Sequence, residues 1–243
     1  MRYFVEFAYN GTAFHGSQRQ PNGITVQEVL EGAFATILRE EVALTFAGRT
    51  DAGVHAEQMF AHFDFEPTLP SELRDRLNSL LPSTIAVRRI FPVTDDAHAR
   101  FSALARTYEY RITTDKDPFR QNLVTRVAPG LDFEAMNQAA ALLLGKHDFA
   151  SFCKVHTDVK TTFCTVTRAE WLSEAVFVIS ADRFLRNMVR AVVGTLFEVG
   201  KQKMTPEEFL GVIESHNRCA AGQSAPAQGL YLTHIQYPDA IYL

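Results

Sequence analysis

Apolar and polar side chains alternate from Met1 to Tyr9. Tyr3, Val5, Phe7 and Tyr9 fall on one side, and Arg2, Phe4, Glu6 and Ala8 on the other. That two-residue period predicts a strand, ended by Asn10-Gly11. The period then changes. Val26, Val29, Leu30, Ala33, Phe34, Ile37 and Leu38 recur at three- and four-residue spacing behind Thr25 and Glu28, a capping box, and predict the clearest helix of the chain. Val42 to Ala47 is apolar and β-branched, and Met59, Ala61, Phe63 and Phe65 alternate with Gln58, Phe60, His62 and Asp64, so both stretches read as strands. A helix is predicted from about Ser71 to Pro82, with Leu73, Leu77 and Leu80 inward, and a strand over Ile85 to Val93.

The second half continues in the same manner. Phe101 to Thr113 reads as a long strand with Arg106, Tyr108, Tyr110 and Ile112 on one face by parity. Asp132 caps a helix through Met136, Ala139, Ala140, Leu143 and Leu144 to a stop at Gly145. Thr161 to Trp171 and Ala175 to Ala181 form a hairpin around Ser173-Glu174. A helix is predicted from Arg183 to about Val199, another behind the capping box Thr205-Pro-Glu-Glu208, and a last strand over Gly229 to Tyr237. The order of elements indicates an α+β fold: two lobes, each a mostly antiparallel sheet with helices on one face, sharing one continuous sheet. The expected lobes are residues 1–97 and 98–243.

Composition narrows the class of partner. The chain has 243 residues, 47% of them hydrophobic and 21% charged, and a formal net charge of −4. A uniformly basic surface is excluded, but a local basic groove is not. Arginines number 18 against 6 lysines, a mild bias toward bidentate binding of phosphate or carboxylate. The three cysteines, 153, 164 and 219, form no pairing pattern, which points to a reducing, cytoplasmic setting. The amino terminus lacks a signal-peptide layout, and no apolar run approaches the ~20 residues that span a membrane.

The candidate chemistry centres on Phe46-Ala-Gly-Arg-Thr-Asp-Ala-Gly-Val-His-Ala56, where Asp51 lies two residues after Arg49 and four before His55, bracketed by Gly48 and Gly53. Alone, this stretch is an Asx turn as readily as a catalytic loop. Arg183, Arg186 and Arg190, three and four apart, would line one helical stripe, either a solvated face or a phosphate-binding ridge. Tyr108 and Tyr110 are either core residues or, beside an arginine, a platform for an unstacked base. His55, His62 and His98 have no metal-ligand spacing, and no dinucleotide, Walker or Gly-x-Ser-x-Gly motif occurs. The remaining set suits covalent catalysis by aspartate on an anionic substrate, with no cofactor and no metal.

These residues carry a resemblance. Ala47-Gly-Arg-Thr-Asp-Ala-Gly-Val-His55 resembles the active-site motif of the tRNA pseudouridine synthase A (TruA) family. His98-Ala-Arg-Phe-Ser-Ala103 with Arg106-Thr-Tyr-Glu-Tyr110 resembles its second motif, Asn187-Met-Val-Arg-Ala-Val-Val-Gly194 its third, and Ala225-Pro-Ala-Gln-Gly-Leu-Tyr-Leu232 its carboxy-terminal signature. The motifs keep the family's order and span essentially the whole chain. One departure is visible: Ser17 stands where the family commonly has tryptophan. The resemblance implies isomerisation of uridine to pseudouridine in the anticodon stem-loop of tRNA, at positions 38–40, by a cytoplasmic homodimer with its active site in the cleft between the lobes. By motif matching, Asp51 is the catalytic nucleophile, Tyr108 the aromatic against the target base, and Arg49 and Arg190 the arginines that place RNA and carboxylate.

The chemistry agrees. Isomerisation needs no redox change and no second reactant. The uridine must leave its stack, at roughly a few kcal/mol. Asp51 then attacks either sugar or base. Arg49 either fills the vacated space or pairs with Asp51, and Tyr108 either stacks on the uracil or assists proton removal. Two other readings compete. A non-catalytic tRNA-binding protein would not need Asp51, and a nucleoside hydrolase would need a second acid for which the sequence offers no clear candidate.

Overall fold

The first alternating stretch is strand β1 (Arg2–Tyr9), antiparallel both to β3 (His55–Asp64) and to β4 (Ile85–Val93). The computed structural model describes residues 1–154 and 160–243. These form two units, Met1–Leu104 with Leu232–Leu243, and Ala105–Tyr231. The boundary expected from sequence, 97/98, would put the whole carboxy-terminal strand in the second lobe, whereas Leu232–Leu243 groups with the first unit.

In the first unit, pairing puts Tyr3 opposite Phe63, Val5 opposite Ala61 and Phe7 opposite Met59, so one face of β1 and β3 is continuous and apolar. Helix α1 (Val26–Leu38) packs there: Phe34 meets Phe63 edge-on at 5.1 Å. Thr25 caps α1 by accepting from the Glu28 N–H, which is one half of the capping box expected there. Helix α2 (Leu73–Leu80) is fastened to β4 through Asn78, which bonds both the N–H (2.8 Å) and the C=O (2.9 Å) of Val87. The other face of β1 and β3 is covered as well: Tyr237 sits edge-on to Phe4 and to Phe60, each at 5.2 Å.

His62 belongs to that second face and is 7% exposed. Its Nδ1 accepts from the Ala99 N–H at 3.1 Å, and its ring lies 4.5 Å from that of His98. Burial, then the His98 and Arg2 charges, push its pKa from 6.5 down to about 4. The unfolded chain binds this proton below about 6.5 and the folded protein only near 4. Stability therefore rises with pH across that window, and acidification from 6.5 to 4 costs roughly 2–3 kcal/mol at this one residue. Urea midpoints measured at pH 7.5, 5.5 and 4.5 should fall progressively, and His62→Asn, which keeps an acceptor but does not titrate, should flatten that fall. Equal pH slopes for the two proteins would exclude His62 as its source.

In the second unit, β5 (Ala105–Thr113), β9 (Val176–Ala181), β8 (Phe163–Ser173) and β7 (Gly145–Asp148) pair antiparallel in that order, and β6 (Thr125–Arg126) adds to β5 in parallel. Helix α3 (Phe133–Ala141) lies on β8: Phe133 meets Trp171 at 5.3 Å, and Asn137 accepts from the Trp171 N–H at 2.8 Å. Asp132 caps α3 as expected. Helix α4 (Met188–Gly200) is buried at every position except Arg190 and Glu198, the signature of a core helix rather than an amphipathic one. Helix α5 (Pro206–Ser215) carries the full capping box of Thr205 and Glu208. Strand β10 (Leu230–Gln236) follows in the chain, and from Leu232 onward it belongs to the first unit. Trp171 Nε1 is the one buried side-chain polar atom without a hydrogen-bond partner among the described residues.

Several element boundaries differ from the sequence reading. Helix α3, expected through Leu144 to a stop at Gly145, ends at Ala141, and Gly145 opens β7. The strand expected over 42–47 is only β2 (Thr45–Phe46), against β3. The strand expected from Phe101 begins at Ala105. There the preceding loop folds on itself, with His98 Nδ1 accepting from the Arg100 and Phe101 N–H groups and Ser102 closing onto His98. The helix expected from Arg183 begins at Met188.

Candidate active site

The chain leaves β2 and is held once more at Ala47, whose N–H bonds the Phe60 C=O of β3 at 2.8 Å. A turn follows, closed by the Val54 N–H on the Asp51 C=O at 3.1 Å. Gly53, third in that turn, has φ 78°, the left-handed value that a type II turn demands of this position. Gly48 differs. Its φ is not positive, and a Cβ there would meet nothing within 4 Å. Of the two bracketing glycines, the turn needs one.

The segment before α1 forms the wall behind this turn. The Gly11 N–H donates to His55 Nδ1 (3.1 Å), the Gly53 N–H to the Phe14 C=O (3.4 Å), and the Ser17 N–H to the Thr50 C=O (3.2 Å). The approach is close enough that a Cβ on Gly11 would lie 1.9 Å from the Val54 oxygen. Thr50 is tied twice more, its N–H to Ser17 Oγ at 2.9 Å and its Oγ1 to the Tyr9 hydroxyl at 2.8 Å. His55 is 1% exposed, so it is a buried support of the turn. Within this frame Asp51 is half-buried and Arg49 exposed. A carboxylate on a turn pinned by neighbouring backbone is aimed rather than floppy, which covalent catalysis requires.

Tyr108 and Tyr110 share a face of β5, as parity predicts, but take different roles. Tyr110 is fully buried; its hydroxyl donates to the Pro226 C=O (2.8 Å) and is 2.7 Å from Thr125 Oγ1. Burial pushes its phenol well above the ordinary value, so it is a neutral structural donor. Tyr108 is half-buried, with its ring edge-on to Phe184 at 5.1 Å.

The arginine stripe does not form. Only Arg190 is on α4; Arg183 and Arg186 lie in the irregular stretch before it. Asn187 at φ 66° precludes helix through this point, and the Arg186 C=O is taken by the Lys154 N–H at 3.1 Å. Arg190 instead meets the segment before β10. Its Nε donates to the Ala225 C=O (2.8 Å) while its own C=O accepts from the Ala225 N–H (2.8 Å). Asn187 Nδ2 donates to Ser224 Oγ at 2.6 Å, and Arg218 donates to Ser224 Oγ at 3.0 Å and the Gly222 C=O at 3.1 Å. With Tyr110 on Pro226, two motifs far apart in sequence, together with Arg218, converge on residues 222–226.

A family profile described as tRNA pseudouridine synthase matches residues 7–102 and 139–238. The chain belongs to the tRNA pseudouridine synthase family. A Bacteroides fragilis protein named tRNA pseudouridine synthase A is 52% identical over 247 residues, covering 99% of this chain and 98% of that protein. One of the same name from Porphyromonas gingivalis is 52% identical, covering 100% and 99%, and one from Bacillus subtilis is 38% identical, covering 98% and 100%. As in the sequence reading, the fold of this family member is α+β. Among the described residues no group of His, Cys, Asp and Glu is arranged to hold a metal ion, and no helix is long and apolar enough to cross a membrane.

Sequence reasoning missed the supports of the turn, namely Tyr9, Ser17 and Thr50, and those of the 222–226 segment, namely Asn187 and Arg218. The signal available for the first set was the polar, glycine-broken run His15-Gly-Ser-Gln-Arg-Gln20, in which Gly16 and Ser17 are buried while His15, Arg19 and Gln20 are exposed.

Proposed function

We propose that the protein isomerises uridine to pseudouridine in tRNA, at positions 38–40 of the anticodon stem-loop, as a cytoplasmic homodimer. Asp51 is the nucleophile in this reading. The supporting observation is the Asp51 turn, fixed through Thr50 and Gly53 within the stretch 7–102 that the family profile matches. The glycosidic bond between C1′ and N1 breaks, the uracil turns, and C1′ joins C5, which then loses its hydrogen as a proton while N1 takes one up. Asp51 attacks sugar or base to hold the intermediate. Tyr108 faces the flipped uracil, Arg49 replaces it in the helix or pairs with Asp51, and Arg190 binds RNA while bracing residues 222–226.

The direct test is purified protein with an unmodified tRNA transcript and no added metal, followed by carbodiimide mapping. Pseudouridine should form at positions 38–40. Release of free uracil would favour a hydrolase, and binding without product would favour a non-catalytic tRNA-binding protein.

Arg190 gives a second test. Arg190→Ala should weaken tRNA binding and reduce the salt slope of log K by about one. Arg190→Lys retains the charge but not the Nε geometry toward Ala225, so it should restore the slope and only part of the affinity. An unchanged slope in the alanine variant would restrict Arg190 to its bond with Ala225.

A further inference from the structure

We infer that Ser17 is a positioning residue for Asp51, and that its hydroxyl aims the carboxylate by holding the peptide immediately before it. The inference rests on the proposed role of Asp51 as nucleophile. Ser17 has no exposed surface. Its Oγ accepts from the Thr50 N–H at 2.9 Å, and its own N–H donates to the Thr50 C=O at 3.2 Å. The residue next to Asp51 is thus gripped at both polar atoms of its main chain.

Ser17 is itself anchored. Its C=O accepts from the Gln27 N–H at 3.0 Å, and the Gly16 C=O accepts from the Val26 N–H at 3.3 Å. These are donors of the first turn of α1, which have no partner within the helix. The line of force runs from α1 through Gly16 and Ser17 to Thr50 and Asp51. Gly16 permits it: at φ 92°, a Cβ there would lie 2.8 Å from the Thr50 oxygen. The side chain of Thr50 is secured separately by Tyr9.

A serine hydroxyl both donates and accepts, and here its oxygen takes the Thr50 N–H. Without an acceptor, the Thr50 N–H is stranded in a buried place, and the turn shifts to find a partner. A shift of about an ångström at a reacting group is worth up to ~10²-fold in rate, while binding of a large RNA is spread over many other contacts.

The experiment compares wild type, Ser17→Ala, Ser17→Cys and Asp51→Asn as full chains, in tritium release from 5-labelled uridine in tRNA, well below their melting temperatures. Ser17→Ala should lower kcat about 10- to 100-fold with KM for tRNA within about twofold and an unchanged pH profile. Ser17→Cys, a weaker acceptor, should fall between. Hydrogen exchange over residues 46–55 should quicken in the alanine variant. A merely structural serine would lower the melting temperature but leave kcat per folded molecule unchanged, and that result would overturn the inference. So would a rise in KM at constant kcat. Should Ser17→Ala not fold, wild-type kcat in Ser17→Cys overturns it equally. If Asp51→Asn retains turnover, the nucleophile reading fails and this inference with it; if Asp51→Asn is dead and Ser17→Ala is as wild type, this inference alone fails.

Discussion

Asp51→Asn is expected to lower pseudouridine formation by at least about 10³-fold, about 4 kcal/mol of barrier, with little change in stability or tRNA affinity. The substitution isolates the charge. Asparagine has nearly the shape of aspartate and is equally at home in turns. The turn itself is closed by main chain, from the Val54 N–H to the Asp51 C=O, and needs Gly53 for its φ of 78°. Its wall, Gly11, Phe14 and Ser17, bonds His55, Gly53 and Thr50. The variant should therefore fold, melt and bind as wild type while failing to release tritium from 5-labelled uridine. Turnover within tenfold of wild type would remove Asp51 from the chemistry. Loss of tRNA binding in parallel would mean instead that the carboxylate holds RNA or a neighbouring arginine.

What the sequence made legible was local. The alternation in β1 and β3, the threonine caps of α1 and α5 and the aspartate cap of α3 are all present, because each depends on residues within one turn or one pleat. The failures share a cause. Arg183, Arg186 and Arg190 have helical spacing, but spacing does not reveal that Lys154 takes the Arg186 carbonyl or that Ser224 fixes Asn187. Phe101 to Leu104 has strand composition, but His98 and Ser102 tie that segment into a loop. Gly48 and Gly53 look alike in sequence, and only the closure at Val54 distinguishes them. The catalytic candidate itself was recognisable because its motif is contiguous. Its supports, Tyr9 and Ser17, lie 41 and 33 residues from Thr50, and no periodicity connects them.

Glycine carries the same lesson to the second large effect. Gly194→Ala is expected to destabilise the protein by about 3 kcal/mol, although alanine is the better helix former. Gly194 lies within α4, where a Cβ would stand 1.8 Å from the Gln223 oxygen and 3.1 Å from the Ala225 nitrogen. Backbone cannot yield there as a flexible side chain would. The two segments also meet reciprocally, since a Cβ on Gly222 would lie 2.9 Å from the Gly194 oxygen. Gly32 in α1 and Gly211 in α5 are the controls: a Cβ at either meets nothing within 4 Å. At those positions alanine should stabilise by about 0.5–1 kcal/mol, through propensity and reduced freedom of the unfolded chain. Thermal melting should separate the three, with Gly194→Ala down by about 6–12 °C and the other two up by about 1–4 °C. The loss at Gly194 should also reach function. Moving residues 222–225 off α4 breaks the paired bonds between Arg190 and Ala225, so tRNA affinity should fall in Gly194→Ala and not in Gly32→Ala. A melting temperature for Gly194→Ala at or above wild type would show that α4 and residues 222–225 do not pack this closely, and would remove the packing basis for coupling Arg190 to that segment.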